Sequence, residues 1–238
     1  MKKVFIKTKN VKKFYSLMEE IQNLPMNIPK FTLVYGEPGL GKSETVMKWA
    51  FQNKCVYVRA NNGMTSRWLL SAIAEELNID PHWHIDNTFN DIRATLMVKR
   101  KVIIIDEIDY LIEKKALETL RDLLDATGCP MVLVGMQNAE RQLKRFPHFY
   151  DRIYKIFKFE NYDRNDIKTI IKELLDIPIT DDGAEYLITR AGQFRQIGRL
   201  VNQVEKLAKT NQVTELNEYI LGELLNERPN LKTLQKVG

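Results

Sequence analysis

Apolar residues follow two rhythms along this chain. Over its first 160 residues, short unbroken apolar runs alternate with stretches in which apolar residues recur every three or four positions. Phe31-Thr32-Leu33-Val34-Tyr35, Cys55-Val56-Tyr57-Val58-Arg59, Lys101 to Glu107, Met131 to Gly135 and Ile153 to Phe159 read as strands. The third run is near-continuously β-branched, which suits a strand buried on both faces of a parallel sheet, and the fourth reads as another buried strand. Between the runs the spacing predicts helices over Val11 to Gln22, Glu44 to Gln52, Ser66 to Leu77, from a Thr88 cap to about Lys99, Lys114 to Ala126 with a stop at Gly128, and Asn138 to Arg145. Strands alternating with helices in this way predict a parallel sheet covered on both sides. After Glu160 the strand signal ends. Four helices are expected there, Asp163 to Leu175, Thr180 to Arg190, Gln196 to Lys209 and Thr214 to Asn226. The expected organisation is an N-terminal basic arm and short helix over 1–30, an α/β domain over 31–160, a small helical domain over 161–226 and a mobile basic tail over 227–238.

The first strand runs into Gly36-Glu37-Pro38-Gly39-Leu40-Gly41-Lys42-Ser43, and a helix follows. Strand, glycine-rich loop and helix at the spacing G-x-x-x-x-G-K-[ST] make a P-loop. The glycines let successive amides turn toward one anion, and the helix N-terminus adds partial positive charge. Lys42 is placed to reach the β- and γ-phosphates and Ser43 to ligate Mg²⁺. Glu37, Pro38, Gly39, Leu40, Gly41, Lys42, Ser43 and Glu44 are the candidate ATP contacts. At the end of the third strand, Asp106 and Glu107 leave an apolar run together, a costly placement unless something matches the charge. A Mg²⁺ held by Asp106 supplies that match, and Glu107 can then take a proton from an attacking water. Asp109 reads as a cap for the following turn.

Composition changes this picture little. The chain has 238 residues, a formal charge of +5 and two cysteines, Cys55 and Cys129, both expected as reduced, buried thiols. No apolar run approaches the roughly 18 residues of a membrane span, so no membrane partner and a cytoplasmic location are expected. Lys2, Lys3, Lys7, Lys9, Lys12 and Lys13 crowd the N-terminus, either as a solvated face or as a nucleic-acid contact. His82-Trp83-His84 reads as a packed loop rather than a metal site. Tyr57, Trp68 and Phe89 sit at core spacing.

GEPGLGKS, VIIIDEID, a fourth strand ending in GMQN, an arginine ahead of the fifth strand and Gly192-Gln193-Phe194-Arg195 in the helical part together resemble an AAA+ ATPase over about residues 10 to 225. The resemblance implies a five-stranded parallel sheet in the order 5-1-4-3-2 and a C-terminal helical lid. It also implies a sensor I residue at Gln137 or Asn138, and an arginine finger for the neighbouring subunit at Arg152, with Arg145 as the fallback. A sensor II arginine is implied at Arg195, with Arg199 as the alternative. Within the superfamily, Val58-Arg59-Ala60-Asn61-Asn62 and VLVGMQNAERQLKR are similar to the MuB/TnsC transposition regulators. That implies a homo-oligomer, ring or helical filament, on double-stranded DNA, serving a transposase. Arg59, Asn61, Asn62, Thr65, Arg67, Lys114 and Lys115 would then contact phosphates without reading bases. A helicase loader or initiator of the IstB or DnaC kind, a nucleotide-switched scaffold filament and a signalling P-loop switch are the alternatives.

Overall fold

A computed structural model of the chain describes residues 5–25, 28, 30–191 and 194–225, without the side chains of Lys115, Phe194 and Arg195. The tail over 227–238, Lys2, Lys3, and the sensor II side chain expected at Arg195 lie outside the described residues. The chain divides into two compact units. One takes Asn10–Asn161, and the other takes the described residues of Tyr162–Gly238 and Met1–Lys9.

In the larger unit, β1 (Phe31–Gly36), β2 (Val56–Arg59), β3 (Ile103–Asp106), β4 (Met131–Gly135) and β5 (Ile153–Phe159) form one sheet in the order β2-β3-β4-β1-β5. Every pairing is parallel. This is the expected order read from the other side. The helices of this unit are α1 (Lys9–Gln22), α2 (Lys42–Gln52), α3 (Ser66–Glu76), α4 (Ile85–Val98), α5 (Lys115–Thr127), α6 (Ala139–Leu143) and α7 (Pro147–Tyr150). The buried residues of β3 and β4 explain why neither strand alternates: all nine positions are inaccessible. One core joins Leu33, Ile103, Ile105 and Leu133 to Leu69, Ile73 and Leu120 of α3 and α5. On α1, Phe14, Met18 and Ile21 are fully buried, with Phe14 edge-on to Trp49 of α2.

Several expected boundaries move, each for a local reason. Helix α4 starts at Ile85 after His84, not at a Thr88 cap. Thr88 lies buried in its first turn, where its hydroxyl accepts the His82 amide at 2.8 Å. Pro147 starts a fresh turn, so the helical region after β4 is split into α6 and α7. Trp68 is 49% exposed, not a core residue, and Trp83 is 82% exposed, so the His82–His84 loop is not packed on its ring. Of the cysteines, Cys129 is buried and Cys55 only partly so; both are free thiols.

The smaller unit holds α8 (Arg164–Leu174), α9 (Asp181–Ala191), α10 (Phe194–Thr210) and α11 (Glu218–Leu224) around Ile171, Leu187, Val201, Val204 and Leu221. Asp163 caps α8 by accepting the Asp166 amide at 2.8 Å. The last helix begins at Glu218 behind an Asn217 cap, not at Thr214. Leu216 is drawn into a parallel bridge with Ile179 instead, through Thr180 N–H to its carbonyl and its own N–H to Pro178. No helix among the described residues is long and apolar enough to cross a membrane.

Gly36 closes β1 against the edge strand with φ +155°, and a Cβ there would lie 2.7 Å from the Phe159 carbonyl oxygen. Gly36→Ala should destabilise the larger unit by about 1–3 kcal/mol through combined strain and overlap. Urea unfolding measures this, and an unchanged midpoint would refute the close approach.

Candidate nucleotide site

The sheet register decides what meets at its carboxyl edge. Tyr35 pairs with Gly135 and Asp106 with Val134, while Arg59 pairs with Asp106. The loops after β1, β3 and β4 therefore leave the sheet side by side, as ligand-binding loops do in open parallel sheets.

The P-loop takes left-handed or related backbone at Gly39 (φ 90°) and Gly41 (φ 75°). Gly41 also stands at the N-cap of α2, with no side chain capping the first amides. Those uncapped N–H groups fit an anion. Lys42 is buried, and its ammonium donates to the Gly36 and Glu37 carbonyls at 2.8 Å each, folding the loop around itself. Pro38, Gly39, Ser43 and Glu44 are exposed, Glu37 half-buried and Leu40 buried. The backbone donors, the lysine and the free face of the loop fit a triphosphate.

Asp106 is 1% exposed at the end of β3. Its two oxygens accept the Tyr57 hydroxyl at 2.7 Å and the Glu107 amide at 2.9 Å. Burial and the neighbouring carboxylate push the Tyr57 phenol well above its usual range, so it stays a proton donor to Asp106. A Ser43 hydroxyl and an oriented carboxylate are the oxygen donors a Mg²⁺ prefers.

Glu107 adopts φ 57°, a region a side-chain-bearing residue rarely occupies. This turns its carboxylate sideways onto Arg59, whose Nε and Nη2 both donate to Oε1. The pair raises the Arg59 pKa, the hydrogen bond to Glu107 contributing most. Asp109 Oδ2 accepts the Met136 amide at 2.8 Å and so ties the β3 loop to the end of β4. Burial raises the Asp109 pKa, with the Met136 N–H and the Lys42 charge opposing. Gly135 is required there, because a Cβ would sit 2.5 Å from Ala139 Cβ. Gln137 and Asn138, just beyond, are exposed toward the same edge.

The candidate DNA contacts divide. Lys114 donates to the Asn62 carbonyl, and the Asn61 side chain accepts the Gly63 amide at 3.0 Å, so these three lie around one loop next to Arg59. Thr65 caps α3 by accepting the Trp68 amide. Arg67 turns away to the Trp83 carbonyl at 2.6 Å, with its guanidinium 5.6 Å from the Trp83 ring centre.

Arg152 lies at the other edge of the sheet. Its carbonyl accepts the Phe31 amide where β1 and β5 begin, and its guanidinium grips Asp125 through Nε and Nη2 at 2.9 and 2.8 Å. The length of β1, about 17–20 Å at the rise of a strand, separates it from the P-loop of its own chain. Arg145 pairs with Glu113 at 2.7 Å, both side chains exposed. Sequence reasoning placed Tyr57 in the core and did not bring Arg59 to the carboxylates. The signal it lacked was register, since Tyr57 and Arg59 share one face of β2 and Arg59 sits opposite Asp106.

A five-stranded parallel sheet with a P-loop after its first strand and carboxylates after its third is the P-loop AAA fold. Residues 27–143 match the family described as AAA domain. A Staphylococcus aureus protein described as a potential ATP-binding protein is 25% identical over 259 residues, 91% of this chain and 93% of that protein. The Aeropyrum pernix ORC2 protein, solved as ADPNP–ADP complexes, superposes with a TM-score of 0.68 at 14% identity, over 99% of this chain and 72% of its own. The ORC1 protein of the same organism, solved in complex with DNA, gives 0.62 at 16% identity, over 94% of this chain and 65% of its own. At these identities the likeness to the solved structures is one of fold.

Tyr57→Phe removes the hydroxyl that orients Asp106. Loss of such a supporting partner costs about 10- to 100-fold in metal affinity. The Mg²⁺-dependent part of ATP binding should weaken by about tenfold, and Mg²⁺-free nucleotide binding should not change. Identical Mg²⁺ titrations for the two proteins would detach Tyr57 from the site.

Proposed function

We propose that this chain hydrolyses ATP, binds duplex DNA without sequence choice as a homo-oligomer, ring or helical filament, and regulates target selection for a DDE transposase in the manner of the MuB/TnsC proteins it resembles. The observation that carries the reading is the Arg59–Glu107 pair, which joins the candidate base to a candidate DNA contact.

In this reading Lys42 leaves the Gly36 and Glu37 carbonyls for the β- and γ-phosphates, and the amides at the start of α2 take the remaining oxygens. Bound Mg²⁺, held by Ser43 and Asp106, would supply charge neutralisation across the phosphates. Glu107 accepts a proton from the attacking water, and Gln137 or Asn138 orients that water from the end of β4. While Arg59 holds Glu107, that carboxylate is turned aside. A DNA phosphate competes for the guanidinium, and Lys114, Asn61 and Asn62 lie close enough to share the backbone contact. Lys115 and Thr65 are further proposed DNA contacts, and Arg67 would have to leave the Trp83 carbonyl to join them. The helical unit is the proposed lid, with Arg195 as its proposed sensor II residue. Arg152 acts across a subunit boundary, exchanging Asp125 for the γ-phosphate of a neighbour; its distance from its own P-loop supports that choice.

A second reading is an initiator or helicase-loader ATPase. The fold likeness to ORC proteins, one of them solved with DNA, favours it. The two readings share the ATPase and DNA chemistry and part at the protein partner. Stimulation of hydrolysis by a purified transposase, and not by a replicative helicase, decides for the first.

Glu107→Gln should bind ATP normally and lose turnover, because an amide cannot take the proton. Arg59→Ala should raise hydrolysis several-fold without DNA and lose further stimulation by DNA. Parental turnover in Glu107→Gln, or full DNA stimulation in Arg59→Ala, would sink the coupling.

Arg152→Ala should abolish hydrolysis with nucleotide affinity unchanged, as arginine fingers are worth on the order of 10³–10⁵ in rate. Mixed with Lys42→Ala protein, it should regain part of its activity, because an intact site then faces an intact finger. No recovery at any ratio, with co-assembly verified, would move the finger to Arg145.

A further inference from the structure

The amino-terminal edge of the sheet carries a feature that neither nucleotide binding nor the DNA-facing loops use. There the residues preceding the strands form an open pocket of about 240 Å³, with Lys30, Arg100, Lys101, Gln22, Asn53 and Cys55 in its lining. Its polar side chains are three cations and two amides, and no carboxylate among the described residues lines it. The thiol does not supply the missing charge, since burial pushes Cys55 up to about 12.

Lys30 is the unusual member. It is 1% exposed, and its ammonium donates to the Leu24 carbonyl at 2.9 Å, one neutral acceptor for three N–H groups. A buried charge normally has an ionic partner. Burial lowers the Lys30 pKa, and the Arg100 guanidinium lowers it further. Arg100 itself is exposed and reaches only the Gly128 carbonyl, at 3.5 Å. Three cations in a lining that holds no carboxylate among the described residues define an electropositive concavity.

We propose that this pocket is an oxyanion site that takes one phosphate group, separate from the P-loop. A guanidinium fork, two ammonium groups and two side-chain amides present donors in number to a group that has only acceptors. The volume falls below the roughly 300–1,000 Å³ of small-molecule sites, which suits a single phosphate better than a whole nucleotide. The phosphate is either a free ion or a phosphodiester of bound DNA; both offer the same oxygens to Lys30, Arg100 and Lys101.

The test uses the full chain saturated with Mg-ADP, so that the P-loop is filled. Inorganic phosphate is titrated at constant ionic strength against chloride, by calorimetry and by unfolding temperature. Saturable one-to-one binding is expected. Arg100→Gln/Lys101→Gln should weaken it at least tenfold with ADP affinity unchanged, and Lys30→Met should unfold at the same temperature with and without phosphate. Duplex DNA then separates the sources. If a backbone phosphate fills the pocket, the double variant lowers the slope of log affinity against log salt by about one. If a free ion fills it, the slope stays at the parental value while phosphate binding is lost. Phosphate behaving as chloride does, equal phosphate binding by the double variant, or a parental phosphate-dependent rise in Lys30→Met overturns the proposal. Should Lys30→Met fail to fold, the double variant decides alone.

Discussion

A carboxylate at the end of a fully buried strand constrains everything near it. Asp106 has almost no contact with water there, so the fold brings it a hydroxyl from β2 and an amide from the next residue. Taking that amide bends the backbone, and Glu107 follows with positive φ. The bend points Glu107 along the sheet toward β2, where Arg59 waits opposite Asp106. One buried charge thus determines where the second carboxylate lies and which cation it meets. Asp109 extends the same logic to β4 through the Met136 amide, so the loops after β3 and β4 are fixed to one another by hydrogen bonds rather than by packing alone.

The two edges of the sheet differ chemically because the strands are parallel. At the carboxyl edge lie glycine backbone, uncapped helix amides and acidic side chains, a combination suited to phosphate and a divalent cation. At the amino edge lie Lys30, Arg100, Lys101 and Arg152. Arg152 there has an anionic partner in Asp125, whereas Lys30 has only a carbonyl. In an antiparallel sheet these groups would be mixed at both ends. Parallel order separates them by the length of a strand, so glycine backbone and acids gather at one edge and these cations at the other.

The strands were legible because they are buried on both faces and so read as unbroken apolar runs, and the P-loop because its glycines and lysine have fixed spacing. Their order came from resemblance, not from the runs themselves. What stayed hidden depends on contacts distant in sequence. Tyr57 has core spacing, and only the β2–β3 register places its hydroxyl on Asp106. Thr214 looks like a helix cap, yet the bridge between Leu216 and Ile179 claims the backbone that would have started the helix. Thr88 looks like one too, and its hydroxyl serves the loop before it. Lys30 follows Pro29 in the sequence and precedes a strand, where nothing local distinguishes a solvated lysine from a buried one.

The difference between Asp106 and Glu107 in exposure assigns them different capacities. Asp106 is sealed, so its partners change only if the sheet edge opens. The Arg59–Glu107 pair has side chains 65% and 22% exposed, where water and ions screen the attraction and an incoming phosphate can compete for the guanidinium. A buried pair would resist such exchange, because parting it strands two charges in a low-dielectric interior. Constancy suits the metal-holding role proposed for Asp106, and exchangeability suits the conditional role proposed for Glu107. Adjacent in sequence, the two acids are separated in this respect by a single left-handed backbone step at Glu107.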